Sequence, residues 1–148
     1  MINNKYSEDD IQYVCSLITY IARETRNYVS NIIGYFDTQE LQWQLDFAHV
    51  NHCLTFEQAA ERVIERLNIK EGTYFNGADQ PSCTDLGLIY STLIVSFAIH
   101  NKVTAVQAIK PVLSSKLSDA LSEYSFPKTA DIKTESSETA MPKTLFPL

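Results

Sequence analysis

The chain predicts an all-α protein, a single compact orthogonal helical bundle of about five or six helices with a buried central helix. Three observations carry that expectation. The run from Leu86 to Ile99 contains no charged residue, is rich in Leu, Ile, Val and Phe, and is closed by Asp85 and His100. At about 14 residues it is shorter than the roughly 18–20 a membrane-spanning helix needs, so it reads as the central helix of the bundle. Elsewhere apolar residues recur at steps of three and four, and two capping boxes, Thr55 with Gln58 and Thr104 with Gln107, mark helix starts. Finally, 4 glycines are too few for a turn-rich all-β fold.

The elements follow in order. Ser7, with Glu8, Asp9 and Asp10 behind it, caps a first helix whose core face is Ile11, Val14, Cys15, Ile18, Ile21 and Ala22, running to about Thr25. A shorter apolar group spans Tyr28 to Phe36, and Gly34 weakens it as a helix. Asp37 and Thr38 cap a third helix carrying Leu41, Leu45, Ala48 and Trp43, and Asn51 to Leu54 is a connector. The Thr55 box opens a fourth helix with Phe56, Ala59, Ala60, Val63, Ile64 and Leu67 inward and Glu57, Glu61 and Glu65 outward. Asn68 to Thr84 holds Gly72, Gly77 and Pro81 and reads as a loop, with a short strand near Tyr74 to Ser82 as the exception to an all-helical chain. Thr84 caps the central helix and Asn101 stops it. A last helical region follows Thr104 and is kinked or split at Pro111, where an interior N–H is missing. Residues 1–126 thus form the helical domain. After Phe126 the apolar periodicity stops, and residues 127–148 are expected to be a disordered or loosely docked tail, with Leu145, Phe146 and Leu148 its one apolar cluster.

The net charge is −6, and the tail is neutral, so the excess sits on the body. An acidic body repels phosphate backbones and anionic lipid, which argues against nucleic-acid and membrane partners. Cys15, Cys53 and Cys83 are odd in number and lack CxxC spacing, and the polar, acidic N-terminus is no signal peptide. Both features place the chain in the cytoplasm.

Four groups of residues carry side chains suited to chemistry or recognition. His49, His52 and Cys53, with Asp46 three residues before His49, could supply imidazole and thiolate to zinc or form a thiolate–imidazole pair. No second ligand cluster accompanies them, and a helix end with histidines at its negative pole accounts for the same residues. No metal, cofactor or catalytic residue is therefore assigned. Arg26 to Leu45 has a helix-turn-helix rhythm, but a recognition helix of Thr38, Gln39, Glu40, Gln42 and Gln44 has no Arg or Lys for phosphates. The ridge Glu57, Glu61 and Glu65 reads as a solvated surface. Tyr13, Leu17 and Tyr20 form a second apolar stripe on the first helix, which is either a partner interface or a second packed side.

Two stretches, Ile21-Ala22-Arg23-Glu24-Thr25-Arg26-Asn27 and Val50-Asn51-His52-Cys53-Leu54-Thr55-Phe56-Glu57-Gln58, resemble a family of small helical bacterial cytosolic proteins with no assigned activity. The resemblance implies a bacterial cytosolic protein and carries no functional residue. Together these readings lead to the expectation of a non-enzymatic protein-interaction module, an adaptor or regulatory subunit that meets a protein partner or its own copy. A small enzyme using His49, His52 and Cys53, and a helix-turn-helix DNA-binding regulator, are the alternatives.

Overall fold

The computed structural model describes residues 6–51, 53–74 and 80–123. Among these residues there are eight helices and no strand: α1 (Glu8–Thr25), α2 (Val29–Ile33), α3 (Thr38–Asp46), α4 (Ala48–Asn51), α5 (Phe56–Leu67), α6 (Cys83–Asn101), α7 (Ala105–Leu113) and α8 (Lys116–Glu123). The all-α bundle is as the sequence predicts. The expected tail, including Leu145, Phe146 and Leu148, lies outside the described residues. Of the loop expected to hold a short strand, Tyr74 and Gln80 to Ser82 are described, and none is in a strand.

Local chemistry sets the helix ends. Ser7 accepts from the Asp10 N–H while the Asp10 carboxylate accepts from the Ser7 N–H, a reciprocal box at the start of α1. The same arrangement opens α5 through Thr55 and Gln58 and α7 through Thr104 and Gln107. Thr55→Ala should cost about 1 kcal/mol by leaving an N–H of the first α5 turn without its acceptor. Chemical denaturation reads that loss directly. The cap of α6 is Ser82, two residues before the expected Thr84, because its hydroxyl accepts from the Asp85 N–H. Three helices end on left-handed residues that are not glycine, Arg26 (φ 58°), Asn68 (φ 54°) and Lys102 (φ 57°).

Packing shifts the centre of the bundle. From Ile11 to Ala22, α1 is buried at every position except Gln12 and Tyr20, which are half-buried. Only a helix with neighbours all around can do this. α6 runs against α1 in the opposite sense: Arg23 near the end of α1 donates to the Pro81 carbonyl just before α6, while Gly87 lies against Ser16 and Gln12. α2, α3, α4 and α5 touch α1 on its other sides, and α7 packs on α6. The most enclosed helix is therefore α1, and α6, the expected centre, is its main partner. One face of α6 stays open, with Leu88 and Ile99 exposed.

The helix count exceeds five or six because a further one-turn helix, α4, follows α3, and because the last region divides. α7 continues through Pro111, and the break falls after Leu113, where Ser114 caps the end. Ser114 and Ser115 hydroxyls bond back to the Lys110 and Val112 carbonyls, satisfying acceptors the turn leaves free. α8 is then held by Tyr90 of α6, whose hydroxyl donates to the Ser118 carbonyl at 3.3 Å, and by Ser30 of α2, which donates to Asp119 at 2.6 Å.

Candidate interaction surface

Among the described residues the most concentrated exposed apolar surface lies on α3 and α4. Trp43, Phe47 and Val50 follow one another at helical steps of four and three and are 43%, 42% and 52% exposed. Their backbones are continuous in trajectory, because the Phe47 N–H reaches back to the Trp43 carbonyl and the Val50 N–H to the Phe47 carbonyl. The two aromatic rings lie 5.0 Å apart, tilted by 41°. Leu41, Leu45 and Ala48, the other stripe of this segment, are buried. Trp43 thus belongs to the outer stripe, a correction to its placement with Leu41 and Leu45.

Trp43 is held in place by charge. The Arg66 guanidinium of α5 lies over its ring at 5.0 Å from the centroid and also pairs with Glu40 of α3. An exposed ion pair of this kind contributes about 0–1 kcal/mol, so its effect is to orient the indole more than to stabilise the fold. Glu40 also accepts from the Gln44 amide at 2.9 Å. Gln44 is buried, and its Oε1 has no partner among the described residues. Beside it a cavity of about 30 Å³ opens between Trp43, Arg62 and Arg66, enough space for one water.

The residues singled out from sequence fall elsewhere. Tyr13 and Leu17 are buried, and Tyr20 is half-buried. Phe56 of α5 stacks on both tyrosine rings, at 5.6 Å from Tyr13 and 5.9 Å from Tyr20, and the Tyr13 hydroxyl donates to the Asn51 carbonyl. This corrects the interface reading: the stripe is the second packed side of α1, covered by α5. His49 and Cys53 are exposed on α4 and the turn after it, and His52 lies outside the described residues. No group of three His, Cys, Asp or Glu side chains that could hold a metal occurs among the described residues. Burial pushes the Cys15 thiol up, and it pushes Cys83 up against the opposing pull of Arg23. Neither is a poised thiolate.

The polar row read as a recognition helix is divided between two environments. Gln44 is buried and Glu40 is engaged by Arg66, so the polar row does not share one outer face. A larger open cleft, about 470 Å³, lies between α1, α5 and the start of α6. Asp9, Gln12, Tyr13, Ser16, Thr55 and Thr84 supply its polar groups, and among the described residues no histidine, cysteine, lysine or arginine lines it. The Glu57, Glu61 and Glu65 ridge is exposed, as expected.

Among the described residues one helix, α6, is long and apolar enough to cross a membrane by length and composition, and 39% of that stretch is buried within the chain. No protein-family model, curated protein or solved structure matches the chain.

Proposed function

We propose that this chain is a non-enzymatic protein-interaction module, an adaptor or regulatory subunit of a bacterial cytosolic complex, and that its partner docks on the Trp43, Phe47 and Val50 face. The observation that carries the reading is the oriented, exposed indole of Trp43 beside the Phe47 ring and the Arg66 guanidinium. Trp and Arg are the residue types that dominate binding energy, and a rigid aromatic loses little conformational entropy on docking. The rim of the face supports a partner with apolar and acidic groups. Arg62 is exposed beside Trp43 while Arg66 is engaged by Glu40, so the fitting partner covers the rings with apolar side chains and offers a carboxylate to Arg62.

A photo-crosslinking residue placed at Val50 should capture one protein from the native host, and the same residue at Gln39 should not. Binding of that purified protein, measured by calorimetry, should weaken at least about 30-fold for Trp43→Ala. The melting temperature should change little, because Trp43 lies outside the core. A partner whose affinity is untouched by Trp43→Ala and Phe47→Ala would overturn the assignment.

A further inference from the structure

We propose that the outer face of α6 joins two copies of this chain in an antiparallel, twofold-symmetric dimer. The inner face of α6, Leu86, Gly87, Tyr90, Leu93, Ile94 and Ala98, is buried in the monomer. The outer face carries Leu88, Thr92, Val95 and Ile99, at steps of four, three and four. Leu88 is 53% and Ile99 48% exposed, Thr92 is exposed and Val95 half-buried. That spacing is a heptad seam, the pattern by which one helix lies along another.

The ends of the seam choose the occupant. One step beyond Leu88 lies Asp85 in the first turn of α6, and just past Ile99, in the left-handed cap that ends the helix, lies Lys102, both exposed. In an antiparallel pair centred between Leu93 and Ile94, Leu88 faces Ile99 of the second copy and Thr92 faces its Val95. Asp85 then faces Lys102 of the second copy, and symmetry repeats every contact. A parallel pair would oppose Asp85 to Asp85 and Lys102 to Lys102. The seam is therefore complementary to itself in one direction only, as an isologous interface requires. Opposed helix dipoles favour the same direction. A lipid surface fits less well, since Asp85 sits on the seam and the chain carries a net charge of −6. This surface is separate from the Trp43 face and does not depend on it.

Four side chains per copy bury less than the roughly 1,200 Å² at which stable interfaces begin, so the dimer should be a weak one that dissociates on dilution. Sedimentation velocity of the full chain over a concentration series should show a monomer–dimer equilibrium. Leu88→Gln or Ile99→Gln should raise the dissociation constant by more than about tenfold, since each change enters the interface twice, and leave the helical spectrum unchanged. Asp85→Lys and Lys102→Asp should each weaken the dimer, and the double variant should restore it. Within one copy those two positions are about 25 Å apart along the helix, too far to compensate each other. Trp43→Ala should leave the equilibrium untouched. A chain that is monomeric at every concentration, a dimer insensitive to Leu88→Gln and Ile99→Gln, or a double charge variant no better than the singles would overturn the proposal. So would monomers that bind phosphatidylcholine–phosphatidylglycerol vesicles through Leu88.

Discussion

Ile94→Asp should leave no folded protein at room temperature. Ile94 is fully buried on the inner face of α6, the side that meets α1 and α7. Removing the aliphatic side chain alone, as in Ile94→Ala, should cost about 2–5 kcal/mol through lost transfer energy and the cavity left behind. The aspartate adds a carboxylate to this buried apolar face, which costs several kcal/mol more whether it stays charged or takes up a proton. A domain of this size is stable by only about 5–15 kcal/mol, so the sum is comparable to the whole. Far-UV circular dichroism should show a helical Ile94→Ala protein with a lowered urea midpoint and an unfolded or aggregated Ile94→Asp protein. Thr92→Asp, two residues away on the outer face, should stay folded. A helical Ile94→Asp protein with a near-native midpoint would contradict the placement of this face in the core.

The second large effect reverses a general rule. Glycine inside a helix is worse than alanine by about 1 kcal/mol, so Gly87→Ala in the middle of α6 would ordinarily stabilise. Here a Cβ at position 87 would lie 1.9 Å from the Ser16 hydroxyl, 2.9 Å from the Ser16 nitrogen and 3.0 Å from the Gln12 carbonyl oxygen. The hydroxyl could rotate away, but the two backbone atoms belong to α1 and cannot move unless the helices part. Overpacking of that kind costs about 1–3 kcal/mol and outweighs the propensity gain. Gly87→Ala should therefore lower the urea midpoint, and Gly87→Val should lower it further. A Gly87→Ala protein more stable than the parent would show that α1 and α6 do not approach this closely.

Much of the fold is legible in local sequence because local chemistry makes it. Ser7, Thr55 and Thr104 each sit three residues before a side chain that can reach back, and each opens a helix in the structure. The acidic ridge of α5 faces water because three glutamates share one side of an amphipathic helix. α4 is not visible as a separate helix because one turn is too short to show a period, whereas α2 falls inside the short apolar group from Tyr28 to Phe36. The break after Leu113 was misplaced to Pro111, since a proline past the first turn removes one bond but does not oblige the helix to end there.

The candidate surface was much less legible. Leu41–Leu45–Ala48 and Trp43–Phe47–Val50 have the same spacing, so periodicity alone identifies two apolar stripes without saying which faces inward. The same ambiguity governs α1, where the Tyr13, Leu17 and Tyr20 stripe is internal because Phe56, more than 30 positions away in the chain, closes over it.

By itself, then, the sequence determined the helical class, the capped starts of α1, α5 and α7, and the uncharged character of α6. These depend on neighbours within one or two turns, where side chain and backbone meet regardless of the rest of the chain. Only the tertiary structure decided that α1 is the most enclosed helix, that Gly87 marks its contact with α6, and that Trp43 faces outward beneath Arg66. Those outcomes depend on which elements pack together, and the physical reason is that burial is a property of a pair of surfaces. A single apolar stripe carries no record of whether another part of the chain will cover it.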